Sequence, residues 1–245
     1  MSLIGKCQCL RTLHTKNEAN PINTLRRKRK MNLKLRLEQV EDYRQTEEVT
    51  REAFWNHYAP GCYEHYLVHI MRNSPSFVVK LDFLALVDDK IVGNIMYVES
   101  DVVSDEGKEY TVLTLGPISV LPEYQGKGIG STLIKHTKEL AKQMGYPAIL
   151  LYGDPDYYAK QGFIPAEKIG IRTQDNMYAA ALQVCKLQEN ALSQITGVYR
   201  ENKVYEIDEE KGEEFDLNFP PKEKITGIQC QERFIQISAM RKEAR

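Results

Sequence analysis

Residues 115–130 read Leu-Gly-Pro-Ile-Ser-Val-Leu-Pro-Glu-Tyr-Gln-Gly-Lys-Gly-Ile-Gly, and no other stretch restricts the fold as much. Tyr110 to Val120 has the pattern of a strand, and it runs into a turn containing Gly126, Gly128 and Gly130. A strongly amphipathic helix follows, with Ile129, Leu133, Ile134, Thr137, Leu140, Ala141 and Met144 on one face and Gly145 as its stop. Glycine reaches positive φ and carries no Cβ, so backbone amides there can come close to a ligand. The start of the helix adds unpaired N–H groups and partial positive charge, and the whole suits a pyrophosphate. Three glycines at alternate positions weaken a helix start, which argues against their being filler. A dinucleotide fingerprint would need a third glycine at 131, which is Ser131, and a P-loop would need Ser or Thr after Lys127, where Gly128 stands. A dinucleotide fold would also place this segment much nearer the start of its domain.

The flanks predict an α/β chain. Residues 32–38 alternate as a strand, and helices are expected over Glu41 to Trp55 and Tyr63 to Arg72, the second broken by Ser74-Pro75. Phe83–Val87 and Ile91–Val98 form a hairpin through Asp88-Asp89-Lys90. Ala148–Tyr152 is apolar throughout, as in a strand buried on both faces. Asp154-Pro155 opens a short helix that ends at Gly162-Phe163. The tail from 186 carries an acidic cluster from Glu206 to Asp216, and Phe234-Ile235-Gln236-Ile237 alternates as a further strand would.

With 245 residues, 42% of them hydrophobic, a core can form without disulfides or metal. No apolar run of about 18 residues predicts a membrane span, and no secretory signal is visible. The five cysteines are irregularly spaced, which favours a reducing compartment, the cytoplasm, over a disulfide framework. Cys7-Gln-Cys9 lacks a second ligand pair, and His57, His65 and His69 read as surface residues, so no metal is expected. Residues 1–30 hold eight Lys or Arg against one acid, Glu18, and patterning begins only after Met31. The expected division is a basic, disordered or non-native extension over 1–30, a catalytic domain over 31–185 and an extension over 186–245 with at least one strand.

Gln125, Gly128 and Gly130 fit, in register, the signature [QR]-x-x-G-x-[GA], with Val120-x-Pro122 before it. Some thirty residues on, Tyr157-Tyr158-Ala159-Lys160-Gln161-Gly162-Phe163 fits an aromatic-Tyr-x-x-x-Gly-Phe run. In these two motifs the chain resembles the GCN5-related N-acetyltransferase (GNAT) family, and within it the branch with Gly-Asp-Pro before a Tyr-Tyr pair. The resemblance covers about 31–185. It implies a mixed, mostly antiparallel sheet flanked by helices, with a parallel strand pair, 110–120 and 148–152, that splays to admit a cofactor arm. It implies acetyl-CoA as co-substrate and an amine-bearing acceptor, and a homodimer is compatible with it; no membrane partner is expected, and a nucleic-acid partner only through the basic stretch 1–30.

The same resemblance assigns roles. The backbone of Ile118, Ser119 and Val120 pairs with the thioester arm, and one of their amides holds the developing oxyanion. Amides from Gln125, Gly126, Lys127, Gly128, Ile129, Gly130 and Ser131 wrap the pyrophosphate, and the Lys127 side chain adds charge or stays at the surface. Tyr158 protonates the departing thiolate. An alkylammonium of pKa near 10.4 needs roughly 4–5 kcal/mol to yield free amine at pH 7, so a base is wanted. Glu52, on the helix that walls the acceptor site in this fold, is the first candidate. Glu99, Asp154, Asp156 and a water chain are the others, and Asp154 suits a helix N-cap equally well. A non-catalytic acyl-CoA sensor of the same fold is the competing reading.

Overall fold

The computed structural model describes residues 31–188 and 196–244; the basic stretch 1–30, with Cys7 and Cys9, lies outside them. In chain order the elements are β1 (Leu33–Leu37), α1 (Tyr43–Phe54), α2 (Glu64–Met71), β2 (Phe83–Val87), β3 (Lys90–Ser104), β4 (Glu109–Val120), α3 (Ile129–Gln143) and β5 (Ala148–Tyr152). Then come α4 (Pro155–Tyr158), β6 (Ile164–Pro165), β7 (Ile171–Arg172), β8 (Met177–Ala179), β9 (Leu182–Lys186), β10 (Gly197–Arg200), α5 (Glu209–Asp216), α6 (Gln229–Ala239) and β11 (Arg241–Glu243).

One sheet runs β1-β2-β3-β4-β5-β9-β6, and β10 joins it against the far half of β3. Neighbours are antiparallel except β4 with β5 and β10 with β7. Long strands make this possible: β3 is 15 residues, so β2 pairs with its first part and β10 with Asp101 to Ser104. Alternation along the strands gives the sheet two faces. On one, Ile95, Tyr97, Leu113, Leu115, Ile149 and Leu151 meet Leu133, Ile134 and Ala141 of α3. The Tyr97 hydroxyl is 2.7 Å from Thr137 Oγ1 there. Leu133 and Ile134 are wholly buried, each worth about 1.5–3 kcal/mol of transfer energy. On the other face Met96 and Val98 pack against Leu67, Val68 and Met71 of α2 and against Tyr205. Among the described residues no helix is long and apolar enough to cross a membrane.

The tail wraps the helices α1 and α2. Arg51, buried on α1, forks onto Asp216 of α5 at 2.6 and 3.0 Å. His65 Nε2 lies 2.9 Å from the same carboxylate. Tyr63 donates to Glu213 at 2.8 Å, and Trp55 Nε1 to the Glu223 carbonyl at 2.8 Å. The expected strand at Phe234–Ile237 is instead the middle of α6. Four alternating residues fit either element. The packing selects the helix: Phe234 stacks 4.9 Å from Tyr58 and Ile237 is buried, three residues apart on one face, while Ile235 points outward. Buried Gln231 secures the helix by donating to the carbonyls of Asn56 (3.0 Å) and Ile225 (2.8 Å) and accepting from Gly227 N (2.9 Å).

Candidate active site

The centre of the molecule is a defect in β4. Opposite β3 the register runs Asn94↔Ser119 and Ile95↔Ile118, then resumes at Tyr97↔Leu115. Gly116 and Pro117 therefore face Met96 alone, which is a β-bulge. Gly116 sits at φ 137°, where a side chain would be strained. Its carbonyl accepts a 2.7 Å hydrogen bond from the Tyr205 hydroxyl. Beyond the bulge β4 leaves β5, with which it pairs only at Leu113↔Ile149 and Thr114↔Leu150. The parallel strands thus part, as expected, and open a gap toward their C-terminal ends.

The glycine turn stands at the mouth of that gap. Gly126 (φ 72°) and Gly128 (φ 82°) are left-handed, and Gly128 is the N-cap of α3. The first amide of the helix to reach a backbone partner is Thr132 N, 3.0 Å from the Gly128 carbonyl. The amides of Ile129, Gly130 and Ser131 precede it and, by helix geometry, have no intrahelical acceptor. A Cβ on Gly128 would meet nothing within 4 Å, so the turn is open on that side. Gln125 closes the turn by donating from Nε2 to the Val120 carbonyl at 2.9 Å. Lys127 folds back: its ammonium donates to the Glu123 carbonyl at 2.6 Å and lies 4.8 Å from the Tyr124 ring.

Of the strand residues, Ile118 and Val120 bury their side chains in the α3 core, and Ser119 points to the other face. The Ser119 hydroxyl donates to Thr50 Oγ1 at 3.1 Å, and Thr50 in turn to Asn94 at 3.2 Å. What these three residues can offer a ligand is backbone. Tyr158 is wholly buried, packed edge-on against Tyr157 and Phe163 at 5.0 and 5.5 Å. Its ring lies so close to Gly153 that a Cβ there would meet Tyr158 Cε2 at 2.3 Å. The Gly-Asp-Pro turn is thereby explained, since only glycine admits the ring.

The expected carboxylates scatter. Glu52 is exposed and ion-paired with Lys222 at 2.8 Å. Glu99 accepts from the Tyr146 hydroxyl at 2.6 Å, and burial with this carboxylate raises that phenol. Asp154 is the cap of α4, accepting from Asp156 N at 2.8 Å, and Arg233 grips it at 3.0 Å. Asp156 is exposed and meets Arg233 at 2.7 Å. The three histidines part company: His57 meets Tyr58 edge to face with ring centroids 4.5 Å apart, and His65 is buried rather than at the surface. His69 Nδ1 lies 3.0 Å from Glu47. His65 is pushed down to about 4, chiefly by burial. Glu64 beside it is wholly buried and pushed up to about 7 by desolvation. Among the described residues no three His, Cys, Asp or Glu come together as a metal site.

Sequence reasoning missed the wall on the other side of the bulge. The tail supplies Tyr199, whose hydroxyl is 2.5 Å from Thr114 Oγ1, and Tyr205. With Tyr152 and Glu201 they line a cavity of about 370 Å³. Burial, and after it the charge of Glu201, raises all three phenols. The only local signal was a pair of tyrosines in an acidic tail, which by itself says nothing of a site.

Comparison with known proteins bears on the family and the fold. The family model described as the acetyltransferase (GNAT) family matches residues 37–164, just over half of the chain. An uncharacterized N-acetyltransferase of Escherichia coli K12, YhbS, is 27% identical over 133 residues, 54% of this chain and 77% of the relative. A second from that strain, YjhQ, is 34% identical over 85 residues, 35% of this chain and 46% of the relative. The crystal structure of Escherichia coli YhbS in complex with CoA superposes with a TM-score of 0.64 at 21% identity, covering 78% of this chain and 97% of that one. A GNAT family acetyltransferase from Brucella melitensis in complex with acetyl-CoA gives 0.57 at 23% identity, covering 71% and 97%. At these identities the two structures speak for the fold.

Proposed function

The chain belongs to the acetyltransferase (GNAT) family, and from that premise we propose that it binds acetyl-CoA in the gap between β4 and β5 and passes the acetyl group directly to an amine held in the same complex. The observation that carries this reading is the alignment of two features on one strand. The bulge at Gly116-Pro117 opens the gap, and ten residues later the left-handed glycines present the free amides of α3. The open space where a Cβ on Gly128 would project supports a pyrophosphate there, beside the start of the helix.

In this reading the amides from Gln125 to Ser131 hold the pyrophosphate, and the backbone of Ile118 to Val120 pairs with the pantetheine arm. Lys127, turned onto the Glu123 carbonyl, stiffens the turn and adds positive charge near it. One strand amide polarises the thioester carbonyl. The amine nitrogen bonds to the carbonyl carbon, the carbon–sulfur bond breaks, the amine gives up a proton and the thiolate takes one. The products are an N-acetylated acceptor and CoA. Tyr158 supplies the proton to sulfur. Its support is its place on the α3 side of the sheet, buried with Phe163 of the turn after α4 and Leu151 of the strand that parts from β4. The proton from the amine goes to water or to a carboxylate. Glu52 serves only when its pair with Lys222 opens, so the structure gives it weaker support than Tyr158. A reducing compartment, the cytoplasm, belongs to the same proposal and agrees with free thiols at Cys62, Cys185 and Cys230.

The test is release of free thiol from acetyl-CoA with a broad amine panel, with acetyl-CoA binding measured separately by calorimetry. Binding and turnover together are expected. Binding with no turnover of any amine would leave a sensor, and no binding would overturn the assignment of the gap.

A further inference from the structure

Gly116 marks the point where β4 turns away from β5, and the group that fixes it comes from the tail. A bulge takes peptide groups out of the ladder, and a buried carbonyl left without a donor is costly. The Gly116 carbonyl finds its donor in the buried Tyr205 hydroxyl, at 2.7 Å. Glycine leaves its peptides freer to rotate than any other residue, so a bond from outside the strand has more to decide at Gly116 than elsewhere in β4. Tyr205 lies beyond residues 37–164, which the family model matches.

Tyr205 is itself held in place. It ends the short turn Lys203–Tyr205, which Asn202 caps by accepting from Val204 N at 3.0 Å. Asn202 also bolts that turn to β3: its Nδ2 donates to the Glu99 carbonyl at 2.9 Å, and its amide to Ser100 Oγ at 3.1 Å. Met96 and Val98 of β3 and Leu67, Val68 and Met71 of α2 pack with the Tyr205 ring. The bulge and the turn that holds it are thus both referred to one strand, since Met96 faces the bulge from β3. Burial raises the phenol well above its ordinary value, which keeps the hydroxyl a donor. Resting on the acetyl-CoA reading above, we propose that Tyr205 is a positioning residue for acetyl transfer: its hydroxyl sets the Gly116 peptide, and through it the path of Ile118 to Val120, the backbone assigned to the pantetheine arm. It acts through Gly116 and not on the reacting atoms. The start of α3 is anchored separately, by Ile129, Leu133 and Ile134 in the core, so the pyrophosphate end of the cofactor does not depend on it.

The experiment uses the full chain and two ligands, acetyl-CoA and phosphoadenosine diphosphate, the part of CoA that keeps the pyrophosphate and lacks the pantetheine arm. Calorimetry gives both affinities, and melting curves verify folding. Tyr205→Phe keeps the ring and removes the hydroxyl. Acetyl-CoA is expected to bind about tenfold weaker, the scale of one lost buried hydrogen bond, and the fragment within about twofold of the parent. A merely structural loss would lower the melting temperature without changing the ratio of the two affinities. Tyr97→Phe is the control: it removes a buried hydroxyl 2.7 Å from Thr137 Oγ1 on the other face of the sheet, and should leave that ratio unchanged. If Tyr205→Phe does not fold, Asn202→Ala, which frees the turn from Glu99, is read in the same way. A folded variant that binds both ligands as the parent does, or that loses both equally, would overturn the proposal. A parent that binds neither ligand, or binds acetyl-CoA no tighter than the fragment, would instead strike the reading on which it rests.

Discussion

Gly128→Val separates the cost of the turn itself from the cost to the ligand. Gly128 is left-handed, at φ 82°, and an L side chain there loses about 1–2 kcal/mol. In a chain of this size that lowers the melting temperature by roughly 2–8 °C. The strain is present with and without ligand, so it cancels from the binding constant. A Cβ at this position meets no protein atom within 4 Å, so the valine methyls have nowhere to clash except with what occupies the space above the amides. Charge-assisted hydrogen bonds are worth about 1.5–3 kcal/mol each, and displacing even one costs at least tenfold in affinity. Gly128→Ala, with one carbon and the same strain, should lie between valine and the parent. The assay is calorimetric titration with acetyl-CoA after a thermal melt of each variant. A valine variant that melts lower but binds acetyl-CoA as the parent does would refute the cradle, because strain would then be the whole effect.

Other outcomes follow from the same geometry. Tyr158→Phe should keep acetyl-CoA affinity and lose about 10²–10⁴ in kcat, as expected for loss of a general acid, with Tyr157→Phe much milder; steady-state kinetics decide, and an unchanged kcat would return Tyr158 to packing. Gly153→Ala drives a methyl into the Tyr158 ring, at 2.3 Å, and should cost about 1–3 kcal/mol in chemical denaturation together with a fall in kcat; an unaltered denaturation midpoint would contradict the close fit. The Glu64 carboxyl, raised to about 7 from 4.5, keeps its proton in the folded state while the unfolded chain loses it, so stability falls as pH rises through that window. Glu64→Gln can still accept from Tyr63 N and should gain on the parent by up to about 3 kcal/mol between pH 4.5 and 7 in urea melts; a difference that does not grow with pH would refute the buried acid.

What the sequence disclosed was local. The face of α3 repeats Leu133, Ile134, Thr137 and Ala141 at helical spacing, the glycines mark the turn beside it, and the β2–β3 hairpin closes through Asp88 and Asp89, with Lys90 already paired in β3. Each signal lies within one element, and each element formed. Glu52 was placed on the right helix, yet its partner is Lys222, 170 residues away, and no pattern in α1 announces it. Phe234 to Ile237 failed for the same reason: Tyr58 and the loop at Asn56 decide that the segment is a helix. The bulge was legible in principle, since Gly116-Pro117 inside a strand signals a break in pairing. The cavity was not, because the register of β10 on β3 joins Val198 to Val103 across 95 positions.

That register also divides the molecule's history. As the chain leaves the ribosome, β4 and the glycine turn emerge well before Gly197, and local contacts form sooner than distant ones. The glycine turn and α3 are therefore made before Tyr199 and Tyr205, which meet β4 at Thr114 and Gly116. The same separation holds over longer times: substitutions in the last fifty residues can change the lining at Tyr199, Glu201 and Tyr205 while the glycine turn stays as it is.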